Sequence, residues 1–177
     1  RAQLCYDASI ARNNDFAPSY LRRGIVRLDH LHLYEKGRDD LAQAVGVLPD
    51  AEVHRALGHL GRAELWLGRG EVARRHLEAA VEVSGSKGVA WTDLGVAYQI
   101  DGQLKKAEKA YRQAYALVPE FPRSVRLLGG VLIELGREDE AQQVFEDHLS
   151  RTPRSVEGLI GLAQVNLLAE RKNKANE

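Results

Sequence analysis

Six histidines, one cysteine and several acidic clusters are the residues of this 177-residue chain that could bind a metal or do acid–base or nucleophilic chemistry. A metal shared by two helical histidines needs a spacing of three or four residues, and His30, His32, His54, His59, His76 and His148 offer no such pair. His30 and His32 would face opposite sides of a helix, and exposed histidine is the plain reading. Cys5 stands between Leu4 and Tyr6 without a His/Asn partner arrangement, so an inert thiol is expected and no internal disulfide can form. Gly68-Arg69-Gly70 and Gly85-x-x-Gly88 follow no strand and carry no Lys-Ser/Thr pair, which leaves them as turns between helices. Glu138-Asp139-Glu140 reads as the acidic first turn of a helix, complementing its dipole. The expectation is a non-enzymatic chain with no catalytic set, no metal and no cofactor.

Arginine is the remaining chemically versatile group, with 18 against 7 lysines. It can hold a carboxylate bidentately, and its excess over lysine hints at a GC-rich, bacterial source. The 25 basic residues are matched by 25 acidic ones. That balance argues against a nucleic-acid binder or a polybasic membrane-surface protein, which need a clustered positive field. Apolar residues make up 44%, enough for a core, yet no run approaches the ~18 residues of a membrane-spanning helix. The chain opens on Arg1 and contains no methionine, so a piece of a longer protein is expected. Residues 1–25 lack the apolar stretch of a signal peptide, and the compartment, cytoplasmic or periplasmic, stays open.

The elements that must position these side chains follow from an internal repeat. At a spacing of 34, Leu60-Gly61 falls on Leu94-Gly95, Leu128-Gly129 and Leu162-Ala163. Gly68, Gly102 and Gly136 keep the same spacing, as do Ala73, Ala107 and Ala141, and Leu77, Tyr111 and Phe145. Tyr6–Gly24 aligns without gaps on Tyr111–Gly129 at a distance of 105, three residues more than three regular periods. The units are therefore a partial one at 1–16, an irregular one at 17–53, regular ones at 54–87, 88–121 and 122–155, and a last piece at 156–177.

Within 88–121, Ala90, Trp91, Leu94, Ala97 and Tyr98 recur at three- and four-residue steps, the pattern of an amphipathic helix. Asp101-Gly102 ends it, a second helical stripe runs from Leu104 to Leu117, and Pro119 stops that one. Each unit is a pair of antiparallel helices that must stack on its neighbours to bury its apolar stripe. Gly61, Gly95 and Gly129 lie in mid-helix, where glycine costs about 1 kcal/mol against alanine, so a close approach of the partner helix is expected there. In 17–53, Gly37 and Pro49 are 12 apart against 17 in the regular units, which predicts a longer first helix and a shorter second one.

The pattern Trp91-x-x-Leu94-Gly95-x-x-Tyr98, then Ala107-x-x-x-Tyr111, then Pro119, resembles the tetratricopeptide repeat. The 122–155 unit matches through Val125, Leu128, Gly129, Leu132, Ala141, Phe145 and Pro153, and 54–87 has Gly85 where proline is usual. The resemblance implies an all-α, right-handed superhelical solenoid whose first helices line a concave groove. It also implies that the groove wall carries Leu21, Arg22 and Ile25, then Arg55, His59, Arg62 and Trp66, then Thr92, Asp93, Val96 and Gln99, and finally Arg126, Leu127 and Gly130. Arrays that clamp acidic chaperone tails use lysines and asparagines at places that here hold Leu21, Ile25, His59, Val89 and Asp93, so that ligand is disfavoured.

The function implied is a scaffold that binds another protein, through a peptide segment or an amphipathic helix, with no nucleic acid and no membrane insertion. Two alternatives stay open: a self-assembling subunit of a bacterial organelle, pilus or secretion assembly, and a docking module cut from a larger enzyme. Leu159, Ile160, Leu162, Val165, Leu167 and Leu168 predict a last helix packed on 122–155, either a cap or half of a further unit. A homo-oligomer through the end repeats is the corresponding expectation.

Overall fold

The computed structural model describes residues 2–14, 16–82 and 88–176. Among these residues there are ten helices and no strand: α1 (Ala2–Arg12), α2 (Ala17–Asp29), α3 (Tyr34–Val47), α4 (Asp50–Trp66), α5 (Gly70–Glu82), α6 (Gly88–Ile100), α7 (Leu104–Leu117), α8 (Pro122–Glu134), α9 (Glu138–Arg151) and α10 (Val156–Asn176). Every helix packs on the next in sequence, and the even-numbered helices also touch one another along one side. That is the layout of a solenoid of helix pairs. Gly85 lies outside the described residues.

The regular turns are built alike. Gly68, Gly102 and Gly136 have φ of 72°, 71° and 72°, the left-handed conformation that only glycine adopts without strain. The residue after each donates its N–H back to the helix, Arg69 to Glu64 O at 2.9 Å and Arg137 to Leu132 O at 2.9 Å, closing the end carbonyls.

The irregular unit departs from expectation. Its first helix has 13 residues and its second 14, the lengths found in 88–121, so neither helix is stretched or cut. The turn between them is one residue longer, with His32 at φ 53° instead of a glycine. The remaining extra residues lengthen α4, which has 17. Gly37 is no turn residue: it sits inside α3, where an added Cβ would lie 3.2 Å from Gly24 O. It fills the place that Ala73 fills against Gly61.

The mid-helix glycines do mark the close approach. A Cβ on Gly61 would lie 2.5 Å from Leu77 Cγ, and on Gly95 and Gly129 it would run into the rings of Tyr111 and Phe145. Those rings are fully buried, at 0% and 1% exposure, and share one core cluster, while Leu77 belongs to the neighbouring one. An ion cluster unseen in the sequence pattern ties on the partial unit. Arg23 of α2 pairs with Asp7 of α1 at 2.7 Å and with Asp40 of α3 at 2.7 Å, and Arg27 adds a 2.8 Å contact to the buried Asp40. The two carboxylates raise the pKa of Arg23 above its ordinary value, the hydrogen bond that Arg23 donates to Asp40 contributing most.

Only Val165 of the expected α10 contacts is buried. Leu162 and Leu168 are half-buried, whereas Val156, Leu159, Ile160 and Leu167 are exposed along one stripe of the helix. Val156, Ile160 and Ala163 stand one double period after Gly88, Thr92 and Gly95, the buried residues of α6 that face α7. The stripe is thus the surface on which a first helix receives its own second helix. Two neighbouring glycines give opposite expectations. Gly129→Ala, forced into Phe145, should lower the unfolding free energy by about 1–3 kcal/mol, whereas Gly130→Ala, with nothing within 4 Å, should raise it by up to about 1 kcal/mol. Urea unfolding of both variants reads the two signs.

Candidate functional site

Among the described residues, the inner face formed by α2, α4, α6 and α8 holds a pocket of about 290 Å³. Its floor is apolar and small: Gly58 from α4, Ala80 from α5, Val89 and Ala90 from α6. Charged and imidazole groups surround it, with Asp29 on α2, His54, Arg55, His59 and Arg62 on α4, and Asp93 on α6. The pocket exists because position 58 carries no side chain; a Cβ there would only reach ordinary contact with Ala90 and Ala80 at 3.8 and 3.9 Å.

Two ion pairs cross this face from helix to helix. Arg62 reaches Asp29 at 3.1 Å, and one of its Nη atoms donates to His59 Nδ1 at 2.6 Å, which makes Nδ1 the acceptor. Arg123 of α8 reaches Asp93 at 2.9 Å. Asp93 is 1% exposed, and the pair's angle leaves Oδ1 without an aligned hydrogen bond. Burial raises its pKa above the ordinary 3.8, against the lowering influence of Arg123 and Arg62.

The predicted groove residues divide. Arg55, His59, Arg62 and Asp93 come together at the pocket. Arg22 and Arg126 are exposed on the flanking helices α2 and α8. Neither these two nor Arg55 has an ion pair among the described residues, whereas Arg23, Arg27, Arg62, Arg74, Arg112, Arg123 and Arg137 are all paired. Ile25 packs half-buried against the amino-terminal core, and Val96 and Leu127 against the carboxy-terminal one. Gln99 links α6 to its neighbours, donating to Glu134 at 2.7 Å and accepting from Tyr111 Oη at 2.8 Å.

Three placements correct the expected wall. Leu21 is core, at 5% exposure. Thr92 is fully buried and donates its hydroxyl to Gly88 O at 2.8 Å, a helix-internal bond that leaves nothing for a partner. Trp66 is exposed, but its ring is stacked on Tyr34 of α3 (5.5 Å, 7°) at the turn edge, away from the pocket lining. Asp29, Gly58, Ala80, Ala90 and Arg123 were not picked out by the sequence. Arg123 stands one period after Val89 and two after Arg55, which is the signal that repeat register offered for it.

Outside this face, His148 is fully buried between turns. Its Nδ1 donates to Pro119 O at 3.1 Å and its Nε2 lies 2.8 Å from Ser155 Oγ, a structural link between successive units. Cys5 is exposed. No helix among the described residues is long and apolar enough to cross a membrane.

Models of the tetratricopeptide repeat match residues 52–120 and 99–165, together more than half of the chain. The chain belongs to the tetratricopeptide repeat family, and its fold is the all-α superhelical solenoid of that family. It is 33% identical over 109 residues to the type IV pilus assembly protein PilF of Pseudomonas aeruginosa, a match covering 62% of this chain and 38% of that protein. It therefore spans less than two fifths of that relative's length. Among solved structures it resembles MamA (TM-score 0.74, 22% identity, 86% of this chain and 87% of that one). It also resembles YrrB, described as a TPR protein with an unusual peptide-binding site (TM-score 0.74, 18% identity, 96% and 86%). At these identities the structural likeness speaks to the fold.

The pKa of Asp93 carries a stability consequence. Between 3.8 and its raised folded value the folded chain binds the proton more tightly than the unfolded one, so stability falls as pH rises through that window and stays lowered at neutral pH. Asp93→Asn should therefore unfold at higher urea than wild type at pH 7, with the gap narrowing towards pH ~4 as the wild-type carboxyl takes up its proton.

Proposed function

We propose that the chain is a non-catalytic scaffold whose inner face binds an acidic segment, extended or helical, of another protein. The observation that carries this reading is the unpaired trio Arg22, Arg55 and Arg126 around an apolar-floored pocket, on a chain whose other arginines are largely committed to internal ion pairs. An unpaired guanidinium on a rigid helix meets a carboxylate without first breaking an internal contact. The chemistry on offer is recognition: Asp29, Arg62 and Asp93 are held in ion pairs and Arg55 is left to meet a partner. The pilus assembly protein PilF and the peptide-binding protein YrrB, to which the chain is similar, agree with a role in holding other proteins.

Fluorescence anisotropy with a pool of acidic twelve-residue peptides tests the assignment. Arg55→Glu and Arg126→Glu should each weaken binding by about tenfold, a loss of ~1.4 kcal/mol, and binding should weaken with salt. Arg75→Glu, at an exposed site on the second-helix side, should leave binding as it is. Unchanged affinity in the Arg55/Arg126 double variant would reject the inner face as the binding surface.

A second reading, self-association through the end of the array, is favoured by the α10 stripe. Val156, Leu159, Ile160 and Leu167 are 60%, 52%, 59% and 56% exposed on the face that a second helix would cover. Contiguous apolar surface of this kind drives association. Light scattering should then show a mass rising with concentration in wild type and constant in Leu167→Glu; a constant mass in both removes this reading.

A further inference from the structure

The pocket between α4 and α6 contains an acceptor that the fold leaves unsatisfied. Asp93 is 1% exposed and lines the pocket, and a carboxylate buried to that degree ordinarily accepts several hydrogen bonds. Here Oδ1 is taken up by the single ion pair, with Arg123 at 2.9 Å, which is not aligned as a hydrogen bond, and among the described residues no hydrogen bond reaches Oδ2, the oxygen left for a partner. The missing donor is one that a partner can bring.

The surroundings define what kind of donor. Arg62 is neutralised by Asp29 at 3.1 Å and Asp93 is offset by Arg123, which leaves Arg55 as the uncompensated charge at the pocket. An entering ammonium or guanidinium would meet a neutral-to-positive field, so a neutral donor is favoured. Gly58, Ala80 and Ala90 form a floor without polar side chains, suited to a ring. At about 290 Å³ the space is at the lower edge of the ~300–1,000 Å³ of drug-sized ligand sites, which fits one side chain.

We propose that this pocket anchors the bound segment through one tyrosine, whose ring lies on the Gly58–Ala90 floor and whose hydroxyl donates to Asp93. Acidic residues on either side of that tyrosine meet Arg55 and the flanking arginines. The inference rests on the reading of the inner face as a surface for acidic segments and adds its specificity. A site that supplies a buried acceptor discriminates against a ligand lacking the donor, because the acceptor is then desolvated for nothing.

The test uses pentapeptides Asp-Glu-X-Glu-Asp, with X tyrosine, phenylalanine, lysine or glycine, titrated into the ¹⁵N-labelled chain and followed by amide chemical shifts. The tyrosine peptide should bind about fivefold to tenfold more tightly than the phenylalanine one and shift the amides of Gly58 and Ala90. Asp93→Leu should abolish the difference between tyrosine and phenylalanine. Gly58→Leu, a good helix former that fills the pocket, should bring both down to the glycine level while the chain keeps its fold.

If all four peptides bind alike and still depend on Arg55, the acidic-segment reading stands and the tyrosine anchor is overturned. Tightest binding by lysine would make Asp93 a cation site and overturn it as well. If no peptide binds, N-acetyl-tyrosinamide at tens of millimolar decides: shifts at Gly58 in wild type but not in Asp93→Leu keep the anchor and remove the acidic segment. Their absence removes both.

Discussion

A small residue in the middle of each first helix, pressed by one large side chain from the second, sets the distance on which the whole array depends. Leu77 on Gly61, Tyr111 on Gly95 and Phe145 on Gly129 are the same contact made three times. Gly24 and Gly37 make a fourth version, in which both helices contribute a glycine beside Leu41. Because interiors are close-packed and resist gaps and overlaps alike, a fixed helix-to-helix spacing inside each unit propagates into a fixed step between units. The even row of first helices along the inner face, and with it the pocket, is a result of that repetition.

On this scaffold the charges sort by location. Those at turns and along second helices are consumed by neighbours: Arg137 by Glu108 and Glu140, Arg74 by Glu78 and Asp101, Arg23 and Arg27 by Asp40. Arg74–Asp101 and Arg137–Glu108 join successive units and the Asp40 contacts join α2 to α3, so they act as registration devices as much as sources of stability. The inner face is different. There the pairs Asp29–Arg62 and Asp93–Arg123 hold adjacent first helices together and leave Arg22, Arg55 and Arg126 over. The face thus has its internal charges settled and a few arginines in excess.

The outermost described helices, α1 and α10, belong to the same packing scheme. α1 has the character of a second helix and α10 that of a first, and α10 presents an apolar stripe where the regular units bury theirs. The irregular unit shows how tolerant the rule is elsewhere. An extra turn residue and a longer α4 are absorbed outside the glycine contact, with His32 taking the left-handed conformation that Gly68, Gly102 and Gly136 adopt in the other turns.

The sequence by itself determined the helix pairs, their 34-residue period, the turn glycines and the close approach at Gly61, Gly95 and Gly129, because each follows from local conformation or from a spacing that recurs. The resemblance to the tetratricopeptide repeat, carried by register from unit to unit, implied a shared wall for Arg55, His59, Arg62 and Asp93. Only the tertiary structure decided which of the wall residues line the pocket. Thr92 and Leu21 stand at wall positions yet are buried, and Trp66 turns to Tyr34, because exposure depends on the neighbouring helix and not on the residue's own. The same holds for Asp93, whose burial and misaligned contact with Arg123 arise between α6 and α8. Periodicity is a property of one chain segment and can be read there; satisfaction of a charge is a property of several segments meeting, and exists only once they are folded together.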